Sequence, residues 1–414
     1  MNDLERFAGV DWGSENHQVC ITSRTGAVLG ERVFRHGGAG LAEMADWIAA
    51  TAAAEPHVTG VAIEVPHGPV VETLMERGFR VHSINPKQLD RFRDRFSPAG
   101  AKDDRRDARV LADALRTDAH AFRRLDPVAP EVVELREWSR IASDLTADRT
   151  RLVNRARQQL WRYYPQLLEV ESDLTRAWVR ELWKLAPTPV RARRLRVTTV
   201  NKLLKRHRVR RLDGTTVLKT LRGSAVVVAA GTHEAAVAHL EVVFAQLDVV
   251  VAQLARAGRE IDRLTARLTQ SADNLPGQQG QRDVAILSSL PGVGRIVLAT
   301  LLAEAHDPLR RRDYQALRCL SGVAPVTRRS GKAVIVVRRL AAHNRLQDAV
   351  YHWANVALQH DTTSRTKYAN LRTRGHGHAR ALRSVADRLL AVACAMLESQ
   401  TMFNPNIRSQ HHGS

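Results

Sequence analysis

The chain has 414 residues, 44% of them hydrophobic, which is enough for two or three domains with apolar cores. Its 63 Lys and Arg outnumber its 43 Asp and Glu, so the formal net charge is +20. Three scattered cysteines, an odd number, argue against a disulfide framework and a thiolate metal site. No apolar run of membrane-spanning length and no leader pattern is seen, so we expect a cytoplasmic protein without a membrane partner.

The excess of positive charge is carried mainly by arginine. A guanidinium binds phosphate through two hydrogen bonds, and several such contacts on a polyanion release counterions and so raise affinity. A GC-rich genome that enriches arginine, or an anionic membrane surface, would also explain this composition. We favour a nucleic-acid partner, because the basic runs lie beside the motifs described below.

Residues 1–125 alternate between strand-like and helix-like patterns. Three strands, a helix, a strand, a helix and a strand are predicted in that order, and a further long helix begins near Lys102. The order is that of an α/β RNase H-like (RuvC-like) domain. The first seven segments read FAGVDWG, HQVCITSR, GAVLGERVFRH, GLAEMADWIAATAAAE, VTGVAIEV, VVETLMERG and FRVHSI.

Residues 126–280 are predicted to be almost wholly helical. The segment 191–211, RARRLRVTTVNKLLKRHRVRR, is densely basic, which favours a groove for a nucleic-acid backbone. A solvated helix face is the alternative interpretation of this segment.

A heptad pattern occupies about residues 233–270 of the same region. Five heptads favour a coiled coil, which we expect to mediate self-association; an intramolecular helical hairpin is the alternative. The apolar positions are Leu240, Leu247, Leu254, Ile261 and Leu268, with Val237, Phe244 and Val251 at the partner positions.

A mainly α-helical C-terminal domain is predicted at residues 281–403, after a polar Gly/Pro linker at 271–281. It begins with LSSLPGVGRIVLATLLAEA, in which Gly292 and Gly294 occupy the turn of a helix-hairpin-helix. Such a turn can present backbone N–H groups at a helix N-terminus to a phosphate, although many such hairpins are purely structural.

Four acidic residues are predicted to meet at one edge of the first domain's sheet. Asp11 ends the first strand, Glu64 ends the fourth, and Asp104 and Asp107 share one helix face. Converging carboxylates repel one another unless cations lie between them, so two Mg²⁺ ions (or Mn²⁺) about 4 Å apart would suit this set. Taken singly, each residue could instead cap an element or pair with an arginine.

Three blocks of the N-terminal domain resemble the insertion-sequence transposase family with an N-terminal DEDD, RuvC-like domain and a C-terminal domain bearing a serine nucleophile. The blocks are GVDWGSENHQVCI, AIEVPHGPVVETL and SINPKQLDRFRDRFSPAGAKDDRRDARVLADAL. The family's Lys-Thr-Asp-x-x-Asp-Ala block corresponds to residues 102–108, which makes Asp104 and Asp107 the acidic pair. Asp103 stands where the family has threonine, so the choice between Asp103 and Asp104 as a ligand stays open here.

The resemblance continues in LSSLPGVGRIVLATLLAEA, YQALRCLSGVAPVTRRSGKAVIVVRRLAAHNRLQDAVYHWA and YANLRTRGHGHARALRSVADRLLAVACAML. It implies that Ser330, which precedes Gly331, is the nucleophile. His343 is a candidate base only through its proximity in the sequence. The basic residues near the two sites are expected to bind nucleic acid: Lys102, Arg105, Arg328, Arg329, Lys332, Arg338 and Arg339.

The family resemblance also implies an activity and its partners. Members are DNA recombinases guided by a bridge RNA, in which the two sites come from different protomers and a phosphoserine intermediate conserves bond energy. We therefore expect donor and target DNA, a bridge-type guide RNA and a homodimer that assembles to a tetramer on DNA, at the bacterial nucleoid. The competing hypotheses are a metal-dependent RuvC-like nuclease or Holliday-junction resolvase using activated water, and a non-catalytic nucleic-acid scaffold.

Overall fold

The computed structural model describes residues 3–95, 103–270, 279–330 and 333–404. Most of the predicted linker, together with Lys102 and Lys332, lies outside these residues. The chain divides into two compact units, residues 1–128 and residues 129–414.

The first unit is built on a six-stranded mixed sheet flanked by helices. Its elements are β1 (Arg6–Trp12), β2 (Asn16–Ser23), β3 (Val28–Arg35), α1 (Gly38–Ala52), β4 (Thr59–Ile63), α2 (Pro69–Glu76), β5 (Arg80–Ser83), α3 (Pro86–Arg93), α4 (Asp104–Thr117) and β6 (Arg123–Arg124). The strand order is β3-β2-β1-β4-β5-β6, with β1 antiparallel to β2 and parallel to β4. This mixed sheet is compatible with the predicted RNase H-like domain.

Apolar side chains cover both faces of this sheet, so it is the middle of three layers. Along β1, Ala8 and Val10 belong to the core shared with α1 and α2, whereas Phe7 belongs to the core shared with α4. Gly9 lets α4 lie directly on β1, because a Cβ there would come within 1.9 Å of the Ala108 carbonyl oxygen. The N-terminal part of α4, which carries the predicted acidic pair, therefore packs against β1.

The second unit is mainly helical. Its elements are α5 (Pro130–Tyr163), α6 (Gln166–Val170), α7 (Ala177–Leu185), α8 (Pro189–Arg194), α9 (Val197–Arg206), α10 (Gly214–Leu221), α11 (Thr232–Gln270), α12 (Gln279–Ser289), α13 (Arg295–Glu304), α14 (His306–Arg310), α15 (Tyr314–Leu320), β7 (Val326–Ser330), β8 (Ala333–Val337), α16 (Asn344–His360), α17 (Thr362–Thr373) and α18 (His378–Ser399).

The long helices α5 and α11 pack against each other as an antiparallel hairpin within one chain. The heptad face of α11 therefore buries against α5, as in the alternative that the sequence left open, and a coiled coil between chains stays a prediction. The clustered residues are Leu240, Phe244 and Leu247 with Ala156 and Leu160, and Ile261 with Leu135 and Ala142.

The helix α11 is also long and apolar enough to cross a membrane, with a mean hydropathy of 1.7 over its best window. One such helix is weak support for a membrane segment. Its buried face contacts α5, and that contact accounts for the apolar heptad positions. The helix therefore does not indicate a membrane protein.

A Gly-containing turn joins α12 to α13 and packs on α16. Gly292 has φ +80°, and a Cβ there would lie 2.8 Å from the backbone nitrogen of Ala357. The Trp353 indole N–H donates to the carbonyl oxygen of Pro291 at 2.9 Å. This turn is thus part of the packing of the C-terminal helices, and its phosphate-binding role stays a prediction.

Candidate catalytic sites

Two of the predicted carboxylates lie at the same end of the two central strands of the sheet. Val10 of β1 lies opposite Ile63 of β4 in a parallel pair, so Asp11 and Glu64 come next at the same end of neighbouring strands. Adjacent strands lie about 4.8 Å apart, and both side chains are half-buried. The register therefore brings these two carboxylates side by side.

The helix α4 places a third carboxylate beside the sheet. Asp107 is only 1% exposed and accepts two hydrogen bonds from the Arg93 guanidinium: Nε to Oδ1 at 2.6 Å and Nη2 to Oδ2 at 2.8 Å. Burial alone would lower the pKa of Arg93, but the hydrogen bond to Asp107 and the charges of Asp107, Asp90 and Glu64 raise it. Arg93 thus neutralises the acidic side of the sheet edge.

The first turn of α4 distinguishes the two adjacent aspartates. Asp103 is the N-cap residue, and its Oδ1 accepts a hydrogen bond from the backbone N–H of Arg105 at 3.1 Å. Asp104 is exposed and lies three residues before Asp107, hence on the same helix face. Capping engages one oxygen of Asp103, and the choice between Asp103 and Asp104 as a metal ligand stays a prediction. The side chain of Arg105 forms an ion pair with Glu31.

Carboxylate oxygens at this edge are the ligand type that Mg²⁺ prefers. In the described part of the chain, however, no three His, Cys, Asp or Glu side chains are grouped closely enough to hold a metal ion. The bidentate pair with Arg93 occupies both oxygens of Asp107. The residues present fit a magnesium site by donor type, provided that Arg93 releases Asp107.

The predicted nucleophile lies in the second unit, at the tip of a two-stranded hairpin. Ser330 ends β7 opposite Ala333 of β8, and it is exposed. Because side chains alternate along a strand, Ser330 and Arg328 share one face of the hairpin and Arg329 lies on the other. An exposed hydroxyl on a basic hairpin can reach a phosphodiester without any change in the core.

The other candidate residues near this hairpin differ in burial and hydrogen bonding. Arg338 donates to Oε1 of Gln347 at 2.7 Å, and Arg339 is half-buried. Burial lowers the pKa of His343, whose Nδ1 accepts from the Leu346 N–H at 3.4 Å at the start of α16. Ser321 is fully buried and donates to the Leu317 carbonyl oxygen, so its hydroxyl is not accessible to a substrate.

Sequence reasoning missed two features of these sites. Arg93 was not predicted to bind Asp107, although a buried carboxylate in a chain of net charge +20 implies a nearby cation. The apolar strand β8 was also missed; Val334, Ile335 and Val336 are each more than half exposed. Its run of β-branched residues after a Ser-Gly turn was the available indication of a hairpin.

Two family models match the chain. A DEDD transposase model of the IS110 type, described as a transposase, matches residues 8–165. A second model, described as the transposase IS116/IS110/IS902 family, matches residues 284–369. The first range includes all four predicted carboxylates, and the second includes Ser330.

Similar proteins are found in several bacteria. "Putative transposase y4uE" of Sinorhizobium fredii is 64% identical over 208 residues, which is 50% of this chain and 58% of the relative. "Mini-circle putative transposase for IS117" of Streptomyces coelicolor is 32% identical over 410 residues, 97% of this chain and 96% of the relative. "Insertion element IS900 uncharacterized 42 kDa protein" of Mycobacterium paratuberculosis is 28% identical over 419 residues, 96% of this chain and 97% of the relative.

Proposed function

Because the chain belongs to the IS116/IS110/IS902 family of transposases, we propose that it cleaves and rejoins DNA through a phosphoserine intermediate at Ser330. A divalent ion, Mg²⁺ or Mn²⁺, would be held by the carboxylates of the first unit. The ligands in this proposal are Asp11, Glu64, Asp104 and Asp107.

The observation that carries this proposal is the register of β1 and β4. It puts Asp11 and Glu64 at the same end of neighbouring parallel strands, and the contact at Gly9 brings α4 and Asp107 onto β1. A bound Mg²⁺ would supply positive charge to the non-bridging oxygens of the scissile phosphate. Asp107 would become available when the Arg93 guanidinium moves to another anion, for which the DNA phosphate is the natural choice.

The Ser330 hydroxyl would act on the same phosphate. Its Oγ forms a bond to phosphorus while the bond between phosphorus and a deoxyribose oxygen breaks, and the hydroxyl proton ends on that departing oxygen. One phosphodiester replaces another, so rejoining by a DNA hydroxyl needs no nucleotide hydrolysis. Arg328, on the same face of the hairpin, would stabilise the charge that develops on the phosphate.

The partners in this proposal follow from family membership. They are donor and target DNA, a bridge-type guide RNA that carries the sequence information, and a homodimer that pairs into a tetramer on DNA. A soluble protein acting on bacterial DNA in the cytoplasm fits the high positive charge. The RNA requirement is tested by purifying the protein with its bound nucleic acid, sequencing that nucleic acid, and assaying recombination before and after RNase treatment.

Strand exchange with two variants separates recombinase from nuclease chemistry. Ser330→Ala should abolish strand exchange, whereas Thr327→Ala, which removes another exposed hydroxyl from the same hairpin, should leave it intact. EDTA should abolish all activity. If Ser330→Ala still cuts DNA with Mg²⁺ at the wild-type rate, the carboxylates act through activated water and the protein is a metal-dependent nuclease instead. If Asp11→Ala and Asp107→Asn retain full activity, neither chemistry uses this site.

A further inference from the structure

Ten cations are concentrated on one short stretch of the second unit, between the ranges that the two family models match. The stretch 191–211 includes α8 and α9 and contains no Asp or Glu. We call its exposed cations the tip surface: Arg191, Arg193, Arg194, Arg196, Lys202, Lys205, Arg206, Arg208, Arg210 and Arg211.

Folding does not neutralise this surface. In the described residues only two of the ten have a carboxylate within 4.0 Å: Arg206 pairs with Glu181, and Arg211 pairs with Glu171. The other eight repel one another without an anionic partner. A cluster of this kind destabilises the compact chain and creates a positive potential that attracts polyanions.

The cations are displayed on an ordered platform. The opposite sides of α8 and α9 are buried in the core shared with α5 and α11, through Ala192, Val200, Leu203 and Leu204. Arg222 donates to the carbonyl oxygens at the end of α8, including that of Leu195 at 2.7 Å. The backbone that carries the tip surface is therefore already ordered before binding, and only its side chains lose conformational freedom.

One residue of the tip surface occupies a backbone conformation that favours glycine. Arg208, just after α9, has φ +55°, in the left-handed region that disfavours residues with a Cβ. It follows the helix at the position where glycine is the usual residue. Since glycine at position 208 would remove the guanidinium and relieve this conformation at once, the position allows binding to be tested separately from folding.

We propose that the tip surface binds the phosphodiester backbone of double-stranded DNA. Single-stranded nucleic acid is bound largely by stacking of bases on aromatic rings, and the segment 191–211 contains no Phe, Tyr or Trp. A duplex needs only a rigid row of cations. The ten-residue helix α9 is about 15 Å long, the rise of roughly four base pairs.

The tip surface binds a part of the DNA away from the phosphate that reacts. Ser330 lies on β7 and the carboxylates lie in the first unit, so no residue of the tip surface belongs to the proposed chemistry. Its contacts are with phosphates, so it contributes affinity without reading the DNA sequence.

A charge-matched pair of full-length variants tests the proposal. The tip variant carries Arg193→Gln, Arg194→Gln, Lys202→Gln and Lys205→Gln. The control variant removes the same charge from exposed arginines that are ion-paired: Arg32→Gln, Arg77→Gln, Arg151→Gln and Arg310→Gln. Fluorescence anisotropy then measures binding to a DNA duplex, an RNA duplex and single-stranded DNA between 50 and 200 mM KCl, and circular dichroism compares the folds.

The expected result is set by counterion release. Each lost phosphate contact lowers the slope of log K against log salt by about 0.9, so losing two contacts lowers it by about 1.8 and weakens duplex DNA binding roughly 60-fold at 0.1 M salt. The control variant should bind within about threefold of wild type. Equal losses in the two variants would overturn the proposal, as would a loss confined to RNA or to single-stranded DNA.

A single substitution separates binding from folding. Arg208→Gly removes a cation and relieves the left-handed conformation, so it should weaken duplex binding severalfold and leave the Tm unchanged or raised. If Arg208→Gly and the tip variant both bind duplex DNA as tightly as wild type, the segment 191–211 is only a solvated helix face and the proposal is wrong. Because the readout is binding, Ser330→Ala should behave as wild type here, so the result is independent of the proposed chemistry.

Discussion

The pair formed by Arg93 and Asp107 makes the proposed metal site testable without any DNA. Arg93→Ala leaves a carboxylate that is 1% exposed without its partner. Breaking a buried ion pair in this way costs about 3–5 kcal/mol. The Arg93 side chain is itself 25% exposed, so water screens the interaction and we expect the lower value of about 2–3 kcal/mol.

Magnesium should reverse this loss. A ligand at one hundred times its Kd stabilises the folded state by about 2.7 kcal/mol, enough to restore the variant. In the wild type the ion must first displace Arg93, so its gain should be smaller. At roughly 3–5 °C per kcal/mol for the 128-residue first unit, the variant loses about 6–15 °C and recovers most of it with Mg²⁺.

Differential scanning calorimetry of full-length wild type, Arg93→Ala and Arg77→Ala, each with EDTA or MgCl₂, measures these shifts. Arg77 forms an exposed pair with Asp46, so its removal should change the Tm little with either addition. If Mg²⁺ raises the Tm of wild type and Arg93→Ala equally, or stabilises neither, Arg93 does not compete with a metal ion for Asp107.

Three further predictions concern the scaffold. Gly9→Ala should destabilise the first unit by several kcal/mol, roughly the cost of overpacking a core, because its Cβ would clash with the Ala108 carbonyl; chemical denaturation measures this. Burial, followed by the charges of Arg124 and Arg80, lowers the pKa of His82 to about 4. An unfolded histidine binds a proton below about pH 6.5, so His82 should contribute about 3 kcal/mol above that pH, a contribution lost as the pH falls towards 4, and His82→Leu should flatten this part of the stability profile. Self-association through α11 must use its outer face, where Val242 and Val249 are 58% and 61% exposed, so replacing both by Arg should reduce the dimer fraction in sedimentation velocity.

Each scaffold prediction has a contrary outcome. Wild-type stability of Gly9→Ala would mean that α4 does not lie directly on β1. An unchanged acid profile in His82→Leu would mean that His82 is hydrated. A dimer that survives both valine substitutions would place the interface elsewhere.

Local patterns were sufficient to predict the first unit. Short apolar runs bounded by turn residues in β1, β2 and β4 indicate strands buried on both faces, and the order of strands and helices selects the RNase H-like arrangement. The register of Asp11 and Glu64 followed from that order alone. The short helix α3, which carries Arg93, was not predicted, since four of its eight residues are charged and its one buried residue is Leu89.

Three tertiary contacts could not be predicted from local sequence patterns. The heptad pattern of α11 is the same for packing on α5 and for packing on a second chain, because either partner would bury the apolar face of the helix. The contact between Arg93 and Asp107 joins residues 14 positions apart through tertiary packing, which no local pattern encodes. The exposed hairpin that carries Ser330 was not predicted, because it depends on the pairing of β7 with β8.

Mass spectrometry of the protein–DNA adduct tests the phosphoserine intermediate at Ser330. A suicide DNA substrate traps the intermediate with Mg²⁺, and peptide mapping locates the nucleotide-modified residue. We expect one modified peptide, with the phosphate on Ser330, and no adduct with EDTA or in Asp107→Asn. Cleaved DNA without any covalent adduct, or an adduct on another residue, would contradict this expectation.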